Sequence, residues 1–468
     1  MKRTTLLAGT ALAILPLLPA AGHAATCTLT GLEIVCGELD SDPISSSDDG
    51  VSVTVNSGAS VVSDNEGTTS IELEGDDVSI TNNGTITQSD VNESGRAITG
   101  EGNGLTIVNN GTIESGDRAI EMRDGASLSV TNAEGATITS RRQAIRAGTD
   151  IVGATTVIND GTIISSEGRA LQLRTFGASV INNGVLMGAE EVVEARGDFF
   201  LENRGTISLI NGDIPDEDGV QLSGGEVQNY GFISGSDDGV DLDEGFIFNR
   251  AGATILSTAP DQNDNGGIDI DEIYSDGVSE DRAPTGVTII NEGTIEGPNA
   301  INTDIAATSS LDLTNRGVLR GRGGTSINLA PDMGDSTLNI EGASEIFGDV
   351  LFGSGNDTVT VSDLSSGLLS TGLFDGDLGT DTVEFDFALS LFSSFDVTGD
   401  RIDLSFLSDG VEVLGTFLSF ESWIVDGQSF TSSSLSAAIN DVPAVPLPAS
   451  LPLVLFGFAG FGLLRRKA

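Results

Sequence analysis

The chain of 468 residues has one histidine, two lysines, two cysteines, one tryptophan and two tyrosines. The histidine, His23, and one lysine, Lys2, lie in an N-terminal segment with the pattern of a secretory leader, and the other lysine, Lys467, is the penultimate residue. If both ends are removed, the body has neither residue type. That excludes Ser-His-Asp and Cys-His catalysis, histidine-ligated zinc, lysine Schiff bases and P-loop phosphate chemistry. Two cysteines cannot complete a four-ligand zinc site. An aromatic content of 5% argues against a broad core built on large rings. Positive charge is also scarce: the trimmed body has 16 arginines against 70 acidic residues, a formal charge of −54. Such a balance repels nucleic acid and keeps an exported chain soluble, and most of these acids read as solvated surface.

What the chain has in quantity is glycine, 61 residues, and a dozen of them recur in the phrase Asn-x-Gly-x-(Ile/Leu/Val). They are Gly58, Gly84, Gly111, Gly135, Gly161, Gly184, Gly205, Gly231, Gly252, Gly293, Gly317 and Gly342, spaced 21 to 27 residues apart except for one interval of 41. Three copies, after Asn132, Asn249 and Asn339, place one more residue before the glycine, which a bulge at a corner can absorb. A period of this length signals stacked repeats. Alternate positions around each glycine are apolar, as in Leu105, Ile107, Asn109 and Ile113, which is strand parity. A further apolar beat falls midway, as in Arg96-Ala97-Ile98 and Arg118-Ala119-Ile120, so each coil holds two or three short strands.

The expectation is an all-β fold, a right-handed parallel β-helix of about a dozen coils around a slim aliphatic interior, with a β-rich C-terminal cap. An antiparallel sandwich is the alternative, but it does not require the same corner at every copy. Glycine at the corner suits a positive φ, and stacked asparagines, each both donor and acceptor, can bond from coil to coil. A dozen coils at about 4.8 Å make a rod on the order of 55 Å long. The interval between Gly252 and Gly293 reads as one coil with a protruding polar loop.

The expected organisation is a signal peptide at 1–24, an N-terminal cap at 25–57, coils at 58–347, a terminal coil with a β-rich cap at 348–441, and a C-terminal signal at 442–468. Lys2 and Arg3 precede the apolar run Leu6 to Leu18, with small residues at Gly22 and Ala24, so cleavage is expected after Ala24. In an oxidising compartment Cys27 and Cys36 can close a small loop that helps cap the first coil; two free thiols are the alternative.

Two acidic groups stand apart. Asp241-Leu242-Asp243 and Asp269-Ile270-Asp271 each follow a Gly-Val/Ile beat in successive repeats, so stacking would set Asp241 against Asp269 and Asp243 against Asp271. Hard oxygen donors in that arrangement suit Ca²⁺, although the fold requires no cofactor. Paired carboxylates also hydrolyse glycosidic bonds, which makes a polysaccharide-degrading enzyme the second functional reading.

The last 27 residues are the second specific signal. Val445-Pro446-Leu447-Pro448-Ala449 leads into the apolar run Leu451 to Leu464 and then Arg465-Arg466-Lys467. This tail resembles the PEP-CTERM class of sorting signals in its VPLPA variant. The resemblance implies a Gram-negative envelope and recognition by an exosortase-type membrane protease. It also implies membrane contact only through the tail before processing, and delivery to the outer surface or extracellular matrix. On it, Val445 to Ala449 carry the motif and Arg465, Arg466 and Lys467 the basic stop. The coils resemble autotransporter passenger domains more loosely, but those end in a large outer-membrane barrel and only about 60 residues separate Val383 from the sorting motif here, so self-translocation is not expected and the sorting tail takes its place. Gly353-Ser354-Gly355-Asn356-Asp357-Thr358-Val359 and Gly379-Thr380-Asp381-Thr382-Val383 resemble calcium-binding RTX nonapeptides. They depart from them at Phe352 and Asp377 and read as closing coils. The sequence thus points to a surface structural or adhesin-like protein without chemistry of its own, binding exopolysaccharide or another surface along its length.

Overall fold

The computed structural model describes residues 27–37, 42–65, 67–89, 95–125, 127–151, 153–210, 216–260, 265–270, 286–303, 310–329, 334–365 and 369–441. Its regular secondary structure is nearly all β-strand, wound into a parallel β-solenoid of about a dozen coils. Ala24, Asp271, the motif Val445–Ala449 and the basic residues Arg465–Lys467 lie outside the described residues. Among the described residues no helix is long and apolar enough to cross a membrane.

Each body coil has three strands. The first ends on the asparagine, as in Leu105–Asn109; the second leaves the glycine corner, as in Thr112–Ser115; the third carries the midway beat, as in Arg118–Gly125. Successive first strands pair in parallel with no slip, so Asn109 lies against Asn82 on one side and Asn132 on the other. Because side chains alternate across a strand, this register sends one aliphatic column inward from each strand position. Ile80, Ile107, Val130 and Val157 form one column, and Ile86, Ile113, Ile138 and Ile163 another; all are fully or almost fully buried. Three such side chains per coil stabilise the stack by roughly 5–9 kcal/mol before chain entropy is subtracted.

The asparagine column runs as an unbroken chain of amides. Asn82 Nδ2 donates to Asn109 Oδ1 at 2.8 Å, Asn109 to Asn132 at 2.8 Å, and Asn132 to Asn159 at 2.8 Å. The chain continues through Asn182, Asn203, Asn229, Asn249 and Asn291 to Asn315, whose Nδ2 donates to Ser344 Oγ at 2.6 Å. The ten asparagines are completely buried. From Asn82 to Asn291 each also donates to a main-chain carbonyl in the next coil, as Asn159 does to Val185 O at 3.1 Å. A buried amide is tolerated when its donors and acceptor are met.

The corner glycines divide into two kinds, which corrects the expectation that all of them need positive φ. Gly58, Gly135, Gly252 and Gly342 do have positive φ, with open space where a Cβ would stand. The other eight do not. At those eight a Cβ would be driven into a carbonyl oxygen of the preceding coil, Gly184 O in the case of Gly205 and Gly84 O in the case of Gly111. Close stacking of main chains therefore selects glycine there. Two phrases also fall out of the asparagine column. Val55, not Asn56, pairs with Asn82, and Ile340, not Asn339, pairs with Asn315.

The long interval is one coil: Gly245–Asn249 pairs directly with Val287–Asn291, and Thr254–Ser257 with Thr294–Gly297. Residues 261–264 and 271–285 of it lie outside the described set. At the N-terminal end, Cys27–Thr30 and Glu33–Cys36 form an antiparallel hairpin closed by the Cys27–Cys36 disulfide, and Glu33–Cys36 pairs in parallel with Ser52–Val55 to begin the stack. At the other end the parallel register continues beyond residue 348 through Thr358–Ser362 and Thr382–Phe385 to Ser422–Val425. An antiparallel meander, Phe392–Thr398, Arg401–Ser408 and Val411–Leu418, and the helix Ser432–Asp441 complete the structure. Here aromatic rings fill the interior. Phe374 stacks on Phe417 at 4.8 Å, and Trp423, fully buried, lies under Val383 in register.

Candidate functional site

The third strands place a column of polar side chains on the outer face of the stack. By register it passes through Thr99, Glu121, Arg146, Gln172, Glu194, Gln221, Asp241, Asp269, Asn302 and Asn328. Thr99, Glu121, Gln172, Asp241, Asp269 and Asn302 of this column are buried, although they point away from the aliphatic interior. Bonds join much of it coil to coil. Arg96 Nε and Arg146 Nη1 donate to the Glu121 carboxylate at 2.6 and 2.7 Å, and Arg118 and Arg123 add ion pairs at 3.4 Å. Burial works against the Glu121 charge, but the surrounding guanidiniums, Arg96 and Arg118 foremost, outweigh it and hold its pKa below the ordinary glutamate range. Gln172 accepts from Arg146 at 3.1 Å and donates to Glu194 at 2.8 Å. Burial likewise opposes the Glu194 charge, and the bonds from Arg174 and Gln172 pull its pKa below normal.

No side-chain bond joins Glu194 to Gln221 in the next coil, and the outer face has a hollow of about 190 Å³ at that point. It is lined by Arg174, Glu194, Ala195, Arg196, Gln221, Leu222, Ser223, Asp241 and Asp243. The lining comes from the ends of successive third strands and the residue that follows each. Arg174, Arg196, Ser223 and Asp243 each stand two beyond Gln172, Glu194, Gln221 and Asp241. Ser223 is the shortest of the four and leaves the depression between Arg196 and Asp243. Arg174 is anchored by Glu194 at 2.7 Å. The pKa of Arg196 is lowered by burial first and then by the like charge of Arg174.

Beyond the hollow the acids crowd. The Asp218, Asp237 and Asp238 carboxylates offer oxygens that all lie within 4.8 Å of one another. Asp218 and Asp238 are buried. Asp218 Oδ1 accepts from Asp238 N at 3.1 Å, and Asp238 Oδ1 from Gly266 N at 2.6 Å. The pKa values of both are raised well above normal, by burial first and then by like charges, Asp237 beside Asp218 and Asp269 beside Asp238. Glu217 is pushed up to about 7 by burial and by Glu191 and Glu190. This trio is the set among the described residues with the donors for a hard divalent ion.

Of the expected acidic quartet, Asp241 pairs with Asp269 in register and Asp243 follows the last residue of that strand, Leu242; Asp271 is outside the described residues. Asp241 accepts from Gln221 at 3.4 Å and Asp269 from Asn302 at 2.8 Å. Sequence reading missed the Asp218, Asp237 and Asp238 trio, although Glu217-Asp218-Gly219-Val220 repeats as Asp237-Asp238-Gly239-Val240 one coil later. The RTX-like stretches lie within the stack. Asp357 Oδ1 accepts from Ser336 N at 2.7 Å, and Asp381 Oδ1 from Asp357 N at 2.8 Å.

No protein-family profile, curated protein or solved structure matches the chain.

Proposed function

We propose that the chain is an exported structural or adhesin-like rod of a Gram-negative cell surface or extracellular matrix. In this reading an exosortase-type protease acts on the C-terminal tail, and the mature protein performs no chemistry of its own. The observation that carries the reading is the succession of segments in the tail sequence: Val445 to Ala449, then the apolar run Leu451 to Leu464, then Arg465, Arg466 and Lys467. The rigid, amide-bonded stack supports it, because such a body presents a long fixed face without requiring a moving part. Mass spectrometry of the mature C-terminus from intact cells tests the route: a chain ending at or before the motif is expected, and a surface-exposed chain that retains Lys467 would overturn it.

A second reading, a carbohydrate-active enzyme, is favoured by one observation, the convergence of Arg174, Glu194, Arg196, Asp241 and Asp243 on a single hollow. Against it, Glu194 and Asp241 are tied into side-chain bonds along the strand face. Depolymerisation of a polysaccharide by the purified chain, lost in Asp241→Asn, would decide for the enzyme.

A further inference from the structure

The outer face of the third strands changes sign along the stack. Over four coils, residues 95–101, 117–125, 141–151 and 167–174, it carries eight arginines and six acids. Over the next four, residues 190–196, 216–223, 237–244 and 265–270, it carries one arginine and twelve acids. Register keeps these segments in one file from Thr99 to Asp269. In the first half the central carboxylates lie beneath the cations. Asp117 and Glu121 are buried, whereas Arg123 and Arg142 keep 38% and 39% of their side-chain surface exposed. Four guanidiniums, those of Arg96, Arg118, Arg123 and Arg146, share the one Glu121 carboxylate. A guanidinium carries more donors than a carboxylate has acceptor positions, so this half turns N–H groups outward. In the second half Asp218, Asp237 and Asp238 crowd one another, and a cation brought against them offsets that repulsion.

A face that is cationic toward one end and anionic toward the other complements itself when turned end for end. We propose that the third-strand face is the interface of a two-fold dimer of this chain, with the stacks antiparallel and the arginine half of each copy against the acidic half of the other. Other partners match only half of the face: an anionic polymer held by the arginines meets twelve acids farther along, and a basic partner meets the reverse. A two-fold contact uses both halves twice. Eight coils at about 4.8 Å make a face about 38 Å long, and about six residues across the strands make it about 20 Å wide, so the footprint approaches the roughly 800 Å² per partner of stable complexes. The only α-helix among the described residues, Ser432–Asp441, packs on the closing strands and does not cover this face. Range decides the balance of charge. At physiological salt the screening length of about 8 Å is shorter than the roughly 19 Å between the two acidic halves, so attraction across the contact outlasts repulsion along it. On the function proposed above, such a pair joins two attachment points, because antiparallel stacks set their C-terminal caps at opposite ends.

Arg123 stands two residues after Glu121 and Asp237 four before Asp241, in the second and seventh of the eight coils. A two-fold axis through the middle of the face therefore brings Arg123 of one copy against Asp237 of the other. Sedimentation equilibrium of the full chain, in EDTA to exclude bridging by divalent ions, tests the contact. Self-association should be strongest near about 0.15 M salt and about tenfold weaker both at about 0.01 M, where like charges reach across, and at about 1 M, where the contact is screened. A dimer that strengthens steadily with salt is held by apolar contacts and overturns the proposal. Arg123→Glu and Asp237→Arg should each weaken the dimer about a hundredfold, since each sets two like-charge contacts in it, with circular dichroism unchanged. Mixed in equal amounts, the two variants regain both contacts, and association should return to within a few-fold of the parent chain. Where a reversal fails to fold, Arg123→Gln or Asp237→Asn replaces it and should weaken the dimer about tenfold. A dimer that neither position affects, or variants that mixing does not rescue, overturns the proposal. So does a chain that stays monomeric at every salt concentration; retention of that monomer on an acidic polysaccharide gel, lost in Arg123→Glu, would give the arginine half to an anionic polymer. None of these outcomes bears on processing of the tail, which the mass of the mature C-terminus decides separately.

Discussion

Two vertical columns of side chains in this solenoid face the same problem, how to line a stack of closely spaced main chains with polar groups, and answer it differently. From Asn82 to Asn315 the column is made of amides, each both donor and acceptor, and every coil hands a bond to the next without charge. In the closing coils a different corner, at the start of the first strands, carries Asp357, Asp381 and Glu421. Each accepts a main-chain N–H from the coil before, Asp357 from Ser336, Asp381 from Asp357 and Glu421 from Asp381. A carboxylate has no proton to pass on when ionised, so one oxygen of Asp357 and one of Asp381 are buried without a hydrogen bond. Burial, and behind it the neighbouring acids (Asp381 beside Asp357, Glu421 beside Asp381), push the pKa of Asp357 up to about 7 and that of Asp381 up to about 6. The amide column runs through ten coils without adding charge, whereas Asp357, Asp381 and Glu421 gather it in the last ones.

The largest expected effect comes from breaking the amide column. Asn182→Ala removes bonds to Asn159, Asn203 and Thr206 and leaves their buried partners unmet, a loss of about 3 kcal/mol. Asn339→Ala lies outside the column and should change stability by less than about 0.5 kcal/mol. The two are compared by midpoints in urea, and equal shifts would show that the column carries no special weight. Next in size is the contrast between glycines. Gly205→Ala forces a Cβ into the neighbouring coil and should cost about 2 kcal/mol. Gly135→Ala meets open space at φ +79° and should cost about 1 kcal/mol.

The smallest effect concerns the carboxylates. A folded-state pKa above the unfolded value means that the folded chain holds the extra protons. The contribution of Asp357 and Asp381 is therefore complete below about pH 4. It is lost as pH rises through about 6 for Asp381 and about 7 for Asp357. Thermal unfolding should come earlier at pH 8 than at pH 5, and Asp357→Asn should raise the pH 8 midpoint by a few degrees. A variant that lowers the midpoint at pH 8 would show that the ionised form is the stabilising one.

The coils were legible because their cause is local and repeated. Alternation around Asn109 and Gly111 is visible in the chain, and a parallel stack is the arrangement that brings successive copies of it into one register. The reason for the glycines was not legible, since positive φ and close approach of main chains select the same residue. Only the fold separates Gly135, in open space, from Gly205, against Gly184 O. Asn56 and Asn339 misled for a related reason: each precedes a glycine, but register, which is fixed by the interior columns, assigns the position to Val55 and Ile340. The opposition of Asp241 and Asp269 could be read from the Gly-Val/Ile beat. The hollow could not, because it arises from one short side chain, Ser223, between longer ones contributed by neighbouring coils, and from a bond that Glu194 and Gln221 do not form.

Every amide between Asn82 and Asn315 points the same way, nitrogen toward the following coil and oxygen toward the preceding one. The stack therefore has a sense like that of a zip. Severed between any two of those coils, the column would bare an amide N–H on the N-terminal piece and an amide oxygen on the C-terminal one, a directional mark on cut faces whose strand edges otherwise offer both donors and acceptors.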